Sequence, residues 1–151
     1  MSTAERNTKS GFTADERAAM RARAAELKAQ ERKGKSAEEK AAIDRQDLVD
    51  AIAGMNDSDR AIAQRIDDIV QAEAPQLGSK TWYGFPAYTR DGKVVLFFKP
   101  AGKFKDRYAT LGFESAAQLD DGQMWPTSYA ILSLTKADEK RIADLVKRAT
   151  G

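Results

Sequence analysis

The chain contains neither cysteine nor histidine. Without cysteine there is no disulfide, no thiolate nucleophile, no zinc ribbon and no Cys-ligated iron–sulfur cluster. Without histidine there is no Ser-His-Asp triad, no imidazole acid–base group, and none of the usual zinc or haem sites. Any metal must then be held by oxygen ligands, chiefly Asp and Glu, which suit hard or labile cations bound weakly. Long apolar runs are also missing: the opening MSTAERNTKS has no apolar h-region, and no later stretch approaches a membrane span. A soluble cytoplasmic protein without a membrane partner is the expectation. Charge of one sign is scarce as well. Lys and Arg number 25 against 23 Asp and Glu, for a net charge of +2, so the overall balance does not by itself call for nucleic acid.

Aromatic residues are few, and they are concentrated. Eleven of the twelve lie between Trp82 and Tyr129, with Phe12 outside. Large rigid apolar side chains supply both cores and recognition surfaces, so both are expected in that stretch. The sequence before it is mostly Ala and charge. At 151 residues the chain divides into a flexible lead-in and polar helical arm over 1–47 and one α+β domain over 48–151.

Thr13-Ala14-Asp15-Glu16 is a capping-box pattern that predicts a helix to about Arg32, broken by Gly34. Ser36-Ala37-Glu38-Glu39 opens a second helix to about Ala53, whose Leu48, Val49 and Ile52 can pack on the domain. Residues 1–35 carry nine basic and five acidic side chains. A basic excess of that size admits a nucleic-acid or protein adaptor arm. Interspersed signs without interleaved aromatics favour a plain solvated helix. Asn56 caps a further helix with Ile62, Ile66, Ile69 and Val70 in one stripe, ended by Pro75. Asp57, Asp59, Asp67, Asp68 and Glu73 on or around it read as a solvated face.

Short β-like runs follow at Lys80–Tyr83, Pro86–Arg90, Lys93–Lys99, Arg107–Phe113 and Ser128–Leu134, with Asp91-Gly92 as a hairpin turn. Gly84 and Pro86 interrupt the pattern and place a bend beside Trp82, Tyr83 and Tyr88. Glu114–Leu119 fits a short helix, and Thr135 caps a last helix burying Ile142, Leu145 and Val146. This order predicts a two-layer α+β domain with helices on one sheet face. Both parities of Val94–Phe98 are apolar, so the second face needs a cover: a curved sheet edge, a ligand or a second subunit in a homodimer.

No catalytic constellation stands out, and no enzyme is expected. Aromatics beside Lys and Arg suit a cleft for a planar or anionic ligand. The candidates are Trp82, Tyr83 and Tyr88, then Lys99, Arg107 and Tyr108, then Trp125 and Tyr129. Lys99–Lys105 holds three lysines but lacks the Gly-Lys-Ser/Thr ending of a phosphate loop, and reads as a solvated connection. Asp120-Asp121, with Glu114 near in sequence, is the best candidate for a weakly held cation, although Asp-Asp-Gly is also a turn.

Thr81-Trp82-Tyr83-Gly84-Phe85-Pro86-Ala87-Tyr88 followed by Asp91-Gly92-Lys93 resembles the W-x-G-x-P-A-Y … x-G-K core of the YdhG-like domains of unknown function. The resemblance extends to Lys103-Phe104, Tyr108, Leu119-Asp120-Asp121-Gly122 and Trp125-Pro126, and covers about residues 48–149. It implies an α-β(3)-α-β(2)-α fold. It also implies iron as a candidate ligand, since some members are described as frataxin-like intracellular iron chaperones that pass iron to iron–sulfur or haem assembly. The arm resembles the extension of one bacterial branch.

Overall fold

A computed structural model describes residues 12–32 and 36–151. The lead-in over 1–11 and the break at Gly34 lie outside the described residues. In chain order the elements are α1 (Ala14–Arg32), α2 (Ala37–Ala53), α3 (Asp57–Glu73), β1 (Gly78–Trp82), β2 (Phe85–Arg90) and β3 (Lys93–Lys99). They continue with α4 (Ala101–Phe104), β4 (Ala109–Phe113), β5 (Ser128–Ile131) and α5 (Lys136–Ala149). This is an α+β fold with helices at its N-terminus.

The helix starts follow from side chains that accept otherwise orphaned amides. At α1 the Thr13 hydroxyl accepts from the Glu16 amide, and Glu16 accepts from the Thr13 amide, both at 3.0 Å. Ser36 accepts from the Glu39 amide, and Asn56 from the Asp59 amide. Thr135 and Asp138 complete the same reciprocal box at α5. The boundary drawn between residues 47 and 48 runs through the middle of α2, whose Leu48 and Ile52 are buried.

The five strands form one antiparallel sheet in the order β1-β2-β3-β4-β5. Two tight turns set it up. Tyr83 and Gly84 have φ of 53° and 83°, and Asp91 and Gly92 have 51° and 78°, so each pair takes the left-handed conformation that a two-residue hairpin needs. The bend near Gly84 is therefore a hairpin turn. Tyr88 does not border it, but sits mid-strand where the β2–β3 register shifts.

Strand alternation then assigns the faces. Tyr88, Leu96, Phe98 and Leu111 lie toward the core shared with α2, α3 and α5, and all four are essentially inaccessible. Complete burial of each such side chain contributes roughly 1.5–3 kcal/mol. Val95 and its neighbour Leu96 both belong to this core, which a regular strand would not allow; the register shift opposite them accounts for it. Phe97 takes the opposite face, pairing with Ala87 and Gly112.

The second sheet face is covered at β1–β3 from within the chain. Trp82, Phe85, Phe97 and Phe104 pack ring against ring there, and Ala22 of α1 and Lys103 lie beside Gly84. α1 therefore does not stand away from the domain. Its Ala19 is 4% exposed.

The short helix is not where the residue pattern puts it. Glu114–Leu119 forms turns, because its amides are used elsewhere: Glu114 donates to the Val95 carbonyl and Gln118 to the Ala149 carbonyl. The short helix is α4, inside the segment read as a solvated connection. Asp59 of α3 accepts from the Ala101 and Gly102 amides at 3.1 and 2.8 Å and fixes its start, and Lys105 ends it with φ 55°.

Candidate functional site

The expected cleft does not assemble as one site. Trp82 lies on β1 and Tyr129 on β5, the two edge strands. Four inter-strand steps separate them by about 19 Å. Sequence order hides this, because the strands are adjacent along the chain but fan out across the sheet.

On the β1 side, Trp82 and Tyr83 meet edge-on with ring centres 5.0 Å apart, and Trp82 meets Phe97 at 5.4 Å. Lys99 stands over the Phe104 ring at 4.7 Å and pairs with Asp106 at 3.6 Å. These groups satisfy one another and form packing. Arg107 and Tyr108 are exposed on the loop before β4, the guanidinium 5.3 Å from the ring centre. Tyr88 leaves the cleft altogether. It is 1% exposed, and its hydroxyl donates to Asp67 Oδ1 at 2.8 Å. Burial first, then the Asp67 charge, raises its pKa well above the ordinary phenol value.

Asp67 is one of two carboxylates on α3 that are buried and not on a solvated face. Its partners come from distant elements: Arg45 of α2 forks onto both oxygens at 2.7 Å and also donates to Ser79 Oγ at 3.3 Å. That bond holds the Arg45 pKa up. Asp59 is equally buried, at 3%, and is consumed by the α4 amides and Asn56. The one signal available in the sequence was their proximity to Ile62, Ile66 and Val70 on the same helix.

Glu114, Asp120 and Asp121 are all exposed. Among the described residues, no three Asp or Glu side chains converge on a metal-sized site. The expected carboxylate set is therefore not gathered into one.

The β5 side is different. Trp125, Pro126 and Tyr129 line a cleft of about 360 Å³ with Arg141, Asp144 and Arg148 of α5. Leu119 and Asp121 complete its wall. Residues 141, 144 and 148 recur at helical spacing and share one face of α5. Trp125, Tyr129 and Asp121 stand out in the sequence, whereas the charges of α5 look like an ordinary solvated helix face. Arg141 packs over Tyr129, the guanidinium 5.3 Å from the ring centre. Tyr129, Arg141 and Leu145 also border a neighbouring slot of about 120 Å³ lined by Leu111, Ile131 and Ile142.

A third cavity of about 480 Å³ lies between the α2 end, the α3 start and α4, with Lys103 at its edge. The buried carboxylate there, Asp59, is already saturated by hydrogen bonds. No protein-family model, curated protein or solved structure matches this chain. Among the described residues, no helix is long and apolar enough to cross a membrane.

Proposed function

We propose that the chain is a non-enzymatic small-ligand-binding domain on the YdhG-like plan that its Trp82–Tyr88 motif resembles. The observation that carries this reading is the β5–α5 cleft. It combines a volume of about 360 Å³, in the range of small-molecule sites, with an aromatic wall and two guanidiniums that, among the described residues, have no carboxylate within ion-pair distance. Unpaired cations beside aromatic rings recognise polar ligands and add little to stability by themselves.

Iron carriage, which the resemblance implies, is less well supported, since the carboxylates nominated for it do not converge. Two titrations of isotope-labelled protein separate the readings. A panel of small metabolites is expected to shift the Trp125, Tyr129, Arg141 and Arg148 signals saturably. Ferrous iron added anaerobically, with magnesium as control, is expected to leave Glu114, Asp120 and Asp121 unbroadened. Selective broadening at those three, with no metabolite acting on the cleft, would replace the ligand-binding reading with the iron one.

A further inference from the structure

The charges lining the β5–α5 cleft are of both signs. Arg141 and Arg148 face it together with Asp121 and Asp144. On α5, Asp144 sits three residues after Arg141 and four before Arg148, spacings at which opposite charges normally pair. Neither pair closes to 4 Å, and among the described residues Asp121 is likewise in no ion pair. The lining is thus two positive and two negative groups, separately presented.

That arrangement selects against a simple anion. A phosphate or carboxylate attracted by the guanidiniums would also meet two carboxylates. It would lie near the C-terminal turn of α5 as well, where the helix dipole is negative. A lone cation meets the mirror-image problem. A head group carrying both charges gains from both pairs.

The adjoining slot says what the head group is attached to. Tyr129, Arg141 and Leu145 border both spaces, so the cleft and the slot adjoin beside the Arg141–Tyr129 contact. The slot is apolar where Leu111, Ile131, Ile142 and Leu145 line it. Its carboxylate, Asp138, is already used in the α5 capping box. At about 120 Å³ it has room for a benzyl- or isobutyl-sized group.

We propose that the β5–α5 cleft binds a zwitterionic α-amino acid with a large apolar side chain. The carboxylate meets Arg141 and Arg148, the ammonium meets Asp121 and Asp144, and the side chain enters the slot beyond Tyr129. This rests on the cleft being the ligand site.

The test is a calorimetric and NMR titration of the intact chain with L-phenylalanine, hydrocinnamate and phenethylamine. The last two lack the ammonium and the carboxylate respectively. Saturable binding of L-phenylalanine alone, shifting Trp125 and Tyr129, is the expected result. Arg148→Gln and Asp144→Asn, both at exposed helix positions, are each expected to weaken it by roughly tenfold. If hydrocinnamate binds the cleft as tightly as L-phenylalanine, the cleft stands as a ligand site and the two-charge inference falls. If L-phenylalanine binds but shifts only residues around Trp82, or if none of the three probes perturbs Trp125, the amino-acid inference falls. A metabolite panel that also leaves Trp125 unmoved removes the ligand-binding reading with it.

Discussion

The Tyr88 hydroxyl donates to Asp67 Oδ1 at 2.8 Å, tying the middle of β2 to α3 through a carboxylate that Arg45 of α2 holds from the other side. Three elements thus meet at one buried charge. Removing the phenol oxygen leaves the Arg45 fork in place, so Tyr88→Phe is expected to cost roughly 1–2 kcal/mol. Asp67→Ala strands the phenol and leaves Arg45 without its partner, at roughly 3 kcal/mol. Urea midpoints of the two variants check the order; an Asp67→Ala loss no larger than that of Tyr88→Phe would show the network to be dispensable.

The same phenol gives an alkaline signature. Burial raises its pKa well above the ordinary value of 10.0. Below pH 10 native and unfolded chains both hold the proton, and this group exerts no pH effect. Above it the unfolded chain releases the proton while the native chain keeps it. Stability then falls as pH rises toward the folded pKa, by up to about 1.4 kcal/mol per pH unit. The difference in stability between the wild type and Tyr88→Phe is therefore expected to shrink between pH 10 and 11.5. A difference constant across that window would mean that the buried phenol does not keep its proton.

Asp59 is the local cause of α4. Its two oxygens bind the Ala101 and Gly102 amides, and a methyl on Gly102 would collide with Asn56 Nδ2. Asp59→Ala leaves these amides without an acceptor and is expected to cost roughly 2–3 kcal/mol. Gly102→Ala displaces the same Asn56 side chain and is expected to cost about 1 kcal/mol. Amide hydrogen exchange at Gly102 should accelerate in Asp59→Ala more than the global loss of stability accounts for.

The buried contacts of Asp59 and Asp67 separate what is legible in the sequence from what is not. The helix starts at Thr13, Ser36, Asn56 and Thr135, and the Asp91-Gly92 turn, were legible because cap and turn chemistry act within four residues. The position of α4 was not, because its cap comes from Asp59, more than forty residues earlier in the chain. The burial of Asp67 depends in the same way on Arg45 and Tyr88, and neither neighbours it in sequence. The single aromatic cleft failed for a related reason. Trp82 and Trp125 look like parts of one set until the strand order puts β1 and β5 on opposite edges. Of that set, Trp125 and Tyr129 line a cleft together with charges on α5 that the sequence pattern presents as an ordinary solvated face.

Phe97 lies across Gly112 on the neighbouring strand, and a Cβ there would overlap its ring. Gly112→Ala is expected to destabilise by roughly 2 kcal/mol through displacement of that ring from Trp82 and Phe85. Phe97→Leu should absorb much of the added methyl, so the double variant should lose less than the sum of the two single variants. Additive losses in a double-mutant cycle would show that the ring does not restrict Gly112.

The contact of α1 with the domain has its own readout in Lys80. The Lys80 pKa is lowered from 10.5, chiefly by burial and next by the nearby Arg23 of α1. Arg23 and Glu26 face each other at 3.8 Å, too long for a hydrogen bond, and one polar atom of each is buried without a partner. That pair lies within α1 and does not tie it to the domain; toward the domain α1 offers its buried Ala19 and an exposed Asp15–Lys105 ion pair at 3.6 Å. Ala19→Glu puts a charge into that contact and is expected to detach α1. Lys80 would then become exposed and lose its Arg23 neighbour, so its pKa should rise toward 10.5, followed by NMR of the lysine side chains. The β2–β3 core does not depend on Ala19, and amide protection at Leu96 and Phe98 should persist. A Lys80 pKa that stays lowered in Ala19→Glu would show that the sheet edge and α2, rather than α1, bury it.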